Sequence, residues 1–228
     1  VFPTTSQPSP ADFESCFSAA RAKGDDVVAV LLSSALSGTF QGACIAREMV
    51  LEEHPEKQIC VIDSRAAAGA MVLLIRRAQA LMEAAGDDGD FDALCQQLHR
   101  YQATLRTCFT LENFDNLIKN GRMRPIVGTL LRSLGIHIIA DATAEGTIHV
   151  ADKARGVGKT YRAITALMKA SKDCTDAEVV ISHCENLEGA MALKRQILAD
   201  LPVKQVDLLS CRGLTSFYAM EKGLIVGY

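Results

Sequence analysis

The segment Val27 to Ser34 (VVAVLLSS) is an apolar run rich in Val and Leu, the pattern of a strand covered on both faces in a parallel sheet. A helix is predicted directly after it, from about Gly38 to Glu53, because Phe40, Ala43, Cys44, Arg47, Val50 and Leu51 recur at spacings of three and four and Pro55 lies just beyond. Ile59 to Asp63 (ICVID) reads as a second buried strand, and Ala66 to Ala85 as a second helix ending at Gly86. Strand, helix, strand, helix implies right-handed crossovers on a parallel sheet.

The stretch Asp87-Asp88-Gly89-Asp90 is the clearest break in composition, and it predicts a boundary between an N-terminal α/β domain, 1–88, and a C-terminal α/β domain, 89–228. Beyond it the pattern gives a helix over Phe91–Leu105, a strand over Thr107–Leu111, a helix ending at Asn120-Gly121 and a helix near Val127–Leu134. Glu145-Gly146-Thr147 reverses the chain between strands at Ile136–Asp141 and Ile148–Ala154, as a hairpin does. A helix (Val157–Lys172), a strand (Ala177–His183), a helix (Leu187–Asp200) and strands near Val203–Ser210 and Gly223–Tyr228 follow, so the second sheet is mixed or antiparallel.

Composition narrows the function. In 228 residues, 49% are hydrophobic, and 24 basic residues against 27 acidic ones leave a net charge of -3. That supports a substantial core, and without a basic block it argues against nucleic acid. The longest apolar runs, such as Ala66 to Ile75, are far too short to span a membrane and end at Arg76-Arg77. Eight cysteines show no CxxC spacing and sit mostly in apolar stretches, as small buried hydrophobes in a reducing cytoplasm do; no Cys or His pair has metal-ligand spacing. The chain opens at Val1-Phe2-Pro3 without Met, which predicts that a preceding N-terminal part exists in the natural protein.

Ser33-Ser34-Ala35-Leu36-Ser37-Gly38-Thr39 lies where a buried strand ends and a helix begins, the place where open parallel sheets bind ligands. Hydroxyls, a glycine, free N–H groups and a positive dipole end suit a carboxylate or phosphate; the competing reading is that one of these Ser or Thr residues merely caps the helix. Thr4-Thr5-Ser6-Gln7-Pro8-Ser9-Pro10 is a second hydroxyl-rich loop, before a helix that begins near Ala11.

Read together, TTSQPSP, SSALSGTFQ some thirty residues on, then VIDS and NGRM resemble the motifs of the DegV family in the same order. The resemblance covers essentially the whole chain from the TTSQPS loop onward, without the family's first strand and its Asp-Ser motif. It implies a long-chain fatty acid held between two α/β domains, the acyl chain in an apolar tunnel, no other cofactor and no chemistry on the ligand. By the same resemblance Thr5 and Ser37 hold the carboxylate, with Ser6, Ser34, Gly38 and Thr39 as the supporting loop. Arg122, of Gly121-Arg122, and Arg155 fall where family members that work with a fatty-acid kinase have the Gly-Arg element and a kinase contact. The family's His-Xaa-Gly-Pro-Gly segment is replaced here by Phe217-Tyr218-Ala219-Met220-Glu221-Lys222-Gly223, which puts Tyr218 in the place of the third ligand. Met71, Leu74, Ile75, Leu130, Leu131 and Leu134 are the tunnel residues expected, and a monomer without stable membrane insertion is the expected state.

The competing reading is a serine esterase or thioesterase using Ser37. Ala35 and Thr39 occupy the glycine positions of G-x-S-x-G, and the base available in sequence is His183. Gly158-Lys159-Thr160 resembles the end of a P-loop, but Lys153 stands where its first glycine belongs.

Overall fold

The computed structural model describes residues 3–56, 58–86, 89–124 and 135–228. The helix expected near 127–134, with Leu130, Leu131 and Leu134, lies outside them. By its internal contacts the chain divides into two compact units: Val1–Ala66 with Leu74–Thr104 and the turn Ala144–Gly146, and Ala67–Leu73 with Leu105–Thr143 and Thr147–Tyr228. This division does not follow the break expected at 87–90, since the helix after that break groups with the first unit.

In the first unit α1 (Pro10–Ala22) is followed by β1 (Val27–Leu31), α2 (Thr39–Glu53), β2 (Ile59–Asp63), α3 (Gly69–Ala85, which begins in the other unit) and α4 (Phe91–Thr104). β1 and β2 pair in parallel, Val27 opposite Ile59 through Leu31 opposite Asp63. Phe17 of α1 and Ala43, Ala46 and Val50 of α2 bury Leu31, Ile59 and Val61 on one face. Cys60 of β2 and Cys95 of α4 are close enough to influence each other, and burial first of all raises the pKa of both thiols. β2 is buried almost throughout as expected, whereas Val27 to Val30 are only half-buried. The α1 start is fixed by a capping box: the Ser9 hydroxyl accepts from the Asp12 amide, and the Asp12 carboxylate accepts from the Ser9 amide. These bonds hold the Asp12 pKa below its ordinary value.

The second unit is built on a six-stranded mixed sheet of order β5-β4-β3-β8-β6-β7, comprising β3 (Thr107–Leu111), β4 (Ile136–Ala142), β5 (Ile148–Arg155), β6 (Glu178–His183), β7 (Gln205–Ser210) and β8 (Leu224–Gly227). All neighbours are antiparallel except β6 and β7, which α7 (Leu187–Asp200) joins as a crossover. Alternation along the strands serves two cores. Cys108, Ile139, Val179, Ile181, Leu224 and Val226 face α6 (Val157–Ser171) and α7. Phe109, Leu111, Ile138 and Ala140 join Phe114 and Leu117 beside α5 (Asp115–Lys119) and α8 (Gly213–Ala219) on the opposite face. The hairpin β4–β5 carries a bulge near Ile139/Ala140, which sharpens its twist.

All eight cysteines are free thiols, four of them buried. Burial pushes the Cys211 thiol up to about 11 and raises that of Cys108 further, so neither is a nucleophile at neutral pH. Among the described residues no helix is long and apolar enough to cross a membrane.

Candidate functional site

The loop after β1 is tied down on both sides before it reaches α2. Ser33 donates its backbone N–H to Ala66 O at 3.0 Å and its hydroxyl to Gly146 O at 2.9 Å, which buries it completely. Gly146 has φ +81°, and a Cβ there would lie 2.3 Å from Ser33 Oγ and 2.9 Å from Arg65 Cα, so this turn tolerates no side chain. Ser34 is held by Asp63 at the end of β2: its amide donates to Oδ1 at 3.1 Å and its hydroxyl to Oδ2 at 2.5 Å. The Arg65 amide also donates to Asp63 Oδ1, at 2.9 Å. One carboxylate therefore fixes the loops leaving both parallel strands. Ser33, part of the hydroxyl-rich segment singled out in the sequence, thus spends its hydroxyl on holding the loop rather than offering it to a ligand, and Asp63 was not among the residues expected at the site.

The chain then turns into α2. Amides of Leu36 and Ser37 donate to Ser33 O at 3.0 and 3.1 Å. Ser37 Oγ and Thr39 Oγ1 are 2.7 Å apart, and Ser37 Oγ accepts weakly from the Thr39 amide at 3.3 Å. The formal N-cap is Gly38, which supplies no side-chain cap, and the first turn of α2 holds no acidic residue. The positive end of this helix is thus not neutralised from within it. Counting protons, the Ser37–Thr39 pair has two hydroxyl hydrogens and spends one on its mutual bond, so the other remains to be donated outward. Ser37 and Thr39 are half-buried, while Ser34 and Gly38 are exposed.

The two hydroxyl-rich loops are neighbours. A Cβ on Gly38 would lie 2.1 Å from Gln7 Oε1, and one on Gly42 would lie 3.7 Å from Pro8 O. The TTSQPSP segment therefore crosses the start of α2, with Thr5 half-buried and Ser6 exposed. Of the expected set, Thr5, Ser6, Ser34, Ser37, Gly38 and Thr39 all belong to these two loops of the first unit.

The remaining expected residues belong to the second unit. Tyr218 is half-buried in α8 at the edge of the core containing Phe109 and Phe114, with its ring edge-on to Phe217 at 4.8 Å. That helix is anchored where Asn116 Nδ2 donates to Phe217 O at 2.6 Å. Arg122 follows Gly121, whose φ is +76°, and its guanidinium donates to Asn120 O. Arg155 is exposed at the end of β5, opposite Ile136. Among the apolar residues expected to line a tunnel, Leu74 is fully buried, Met71 half-buried and Ile75 51% exposed. His183 is buried at the end of β6, and its Nδ1 accepts from the Asn186 amide at 3.4 Å.

Comparison with known proteins agrees with this architecture. The profile of the DegV family, described as uncharacterised proteins, matches residues 1–223. A DegV domain-containing protein of Streptococcus gordonii is 33% identical over 222 residues, covering 97% of this chain and 76% of that protein. A DegV family protein from Ruminococcus gnavus, in a crystal structure refined with vaccenic acid, superposes with a TM-score of 0.89 at 29% identity, covering 99% of this chain and 78% of the other. The Streptococcus pneumoniae Fatty Acid Kinase (Fak) B3 protein loaded with linoleic acid gives a TM-score of 0.86 at 31% identity, covering 98% and 76%. The chain belongs to the DegV family.

Proposed function

We propose that this chain binds a long-chain fatty acid, with the carboxylate taken by the hydroxyls of Thr5 and Ser37 at the start of α2, and presents it to a fatty-acid kinase without itself reacting with it. The observation that carries the reading is the Ser37–Thr39 hydroxyl pair at 2.7 Å on a helix start with no acid of its own, in a fold whose relatives hold vaccenic and linoleic acids. A carboxylate placed there would receive one hydroxyl proton from the pair and sit at the positive end of α2.

Magnitudes divide the labour. Burying about fourteen methylenes contributes at most ~11 kcal/mol at ~0.8 kcal/mol each, whereas a hydrogen bond to a charged group contributes ~1.5 to 3 kcal/mol. The tail supplies most of the affinity and the hydroxyls supply orientation. Orientation is what a kinase acting on the carboxylate needs. Arg155, exposed at the end of β5, and Arg122 are the proposed contacts to that kinase.

The esterase reading requires a base on the nucleophile. The hydroxyl of Ser37 is engaged by Thr39 rather than by an imidazole, and His183 Nδ1 is occupied by a backbone amide. Both features favour a binder. The test is fatty-acid retention after delipidation and reloading. Thr5→Ala combined with Ser37→Ala should weaken retention roughly 10- to 100-fold, the loss of one or two charge-assisted hydrogen bonds. Unchanged retention would remove both residues from the site, and hydrolysis of a chromogenic acyl ester that disappears with Ser37→Ala would establish the esterase instead.

A further inference from the structure

The second unit contains a cavity of about 320 Å³. In its sheet β3, β5 and β6 run in the same direction, because each is separated from the next by one antiparallel strand. Their carboxyl ends, and hence the starts of α6 and α7, fall on one edge, the edge where α/β sheets hold ligands. The cavity opens there, reaching Val157 in the first turn of α6 and Asn186 at the cap of α7.

The two helix starts are not equivalent. Asn186 caps α7 by accepting from the Gly189 amide at 3.1 Å, and Glu188 places an acid in its first turn. The α6 start has neither: its N-cap is Gly156, with φ +82° and no side-chain cap, and its first turn contains no acid. That turn reads Val157-Gly158-Lys159-Thr160, the fragment that failed as a nucleotide P-loop. A Cβ on Gly156 would meet nothing within 4 Å, so the backbone there is open to a ligand.

A second observation points into the same space. Thr110 lines the cavity and is only 6% exposed, yet its hydroxyl has no hydrogen-bond partner. It lies on the sheet face of Leu224 and Ile139, its register partners, which is the face covered by α6 and α7. A buried hydroxyl without a partner costs free energy that a ligand acceptor would recover. Lys222, exposed and without an ion-pair partner among the described residues, also lines the cavity.

Two carboxylates are present and both have other partners. Glu112 faces His137 Nδ1 at 3.9 Å, and Glu188 complements its own helix. Burial first, and then Glu188, push the Tyr161 phenol upward, so that it stays protonated as a donor. Leu224, Ala192 and the Tyr161 ring give the cavity an apolar side.

We propose that this cavity binds a small organic phosphate, its phosphoryl oxygens shared by the α6 amides, Lys222 and the Thr110 hydroxyl, and its organic part against Leu224 and Tyr161. A phosphate is preferred to a carboxylate because three oxygens can serve this many donors. The test is titration of the protein with phenyl phosphate, inorganic phosphate and benzoate, read by amide NMR shifts, with Thr110→Val and Lys222→Gln as variants. Val replaces a hydroxyl by a methyl of the same shape and keeps the core filled. Phenyl phosphate should shift the Val157, Gly158 and Lys159 amides, and each substitution should weaken it about tenfold. No shift at these amides, or affinity unaffected by both substitutions, would overturn the site. Inorganic phosphate binding that ignores both substitutions would mean an adventitious ion only, and benzoate binding as tightly as phenyl phosphate would overturn the assignment to phosphate.

Discussion

Asp63 accepts three hydrogen bonds, two from backbone amides and one from the Ser34 hydroxyl. A carboxylate used in this way is a brace for the loop that carries Ser37, even though it stands near the proposed carboxylate-binding hydroxyls. Asp63→Ala should release the loop and erode the preference for a fatty acid over the corresponding fatty alcohol, while binding of the alcohol changes little. Asp63→Asn should restore most of that preference, because the amide oxygen still accepts from the two amides and its NH₂ can donate to Ser34. Competition between the acid and the alcohol measures this, and an unchanged preference in Asp63→Ala would show that the brace does not position Ser37. In the sequence Asp63 is visible as part of VIDS, but its role was not, because its partner Ser34 lies 29 residues away. Ser37 was proposed from the hydroxyl density at the β1-to-α2 corner together with the family motif, and Thr5 from the family motif alone.

Elements with strong periodicity were legible to within a few residues. The predicted helix over Ala66–Ala85 begins at Gly69, and the strand expected from Val27 to Ser34 ends at Leu31, where the side-chain bonds of Ser33 and Ser34 replace the ladder. The helix α8 escaped the sequence reading. It has seven residues, no side-chain cap and a run of Thr, Ser, Phe and Tyr that favours helix weakly, so its stability comes from packing and from the bond of Asn116 to Phe217 O. Another contact invisible in sequence is the approach of α3 to the sheet. A Cβ on Gly227 would lie 2.1 Å from Ala70 N, and one on Gly69 would lie 2.5 Å from Val180 O. Backbone cannot yield as a side-chain tip can, so Gly227→Ala should destabilise the protein by about 3 kcal/mol, read as a lower midpoint in urea. A midpoint within experimental error of wild type would mean that α3 does not pack this closely in solution.

At the scale of the whole chain, the sequence predicted an α/β protein with a parallel sheet followed by a mixed or antiparallel one, and the two-stranded parallel sheet and six-stranded mixed sheet have that character. The partition into units was harder to read. An acidic, glycine-containing break looks like a linker, yet α4, which follows it, groups with β1 and β2; a chain that crosses from one unit to the other more than once leaves no single boundary in composition. The central claim, that this molecule is a fatty-acid carrier, is open to one direct measurement: native mass spectrometry of the purified protein, followed by organic extraction and identification of what is released. The account predicts close to one long-chain fatty acid per chain, lost on delipidation and regained on reloading. A protein that emerges empty and takes up no fatty acid on reloading would contradict it.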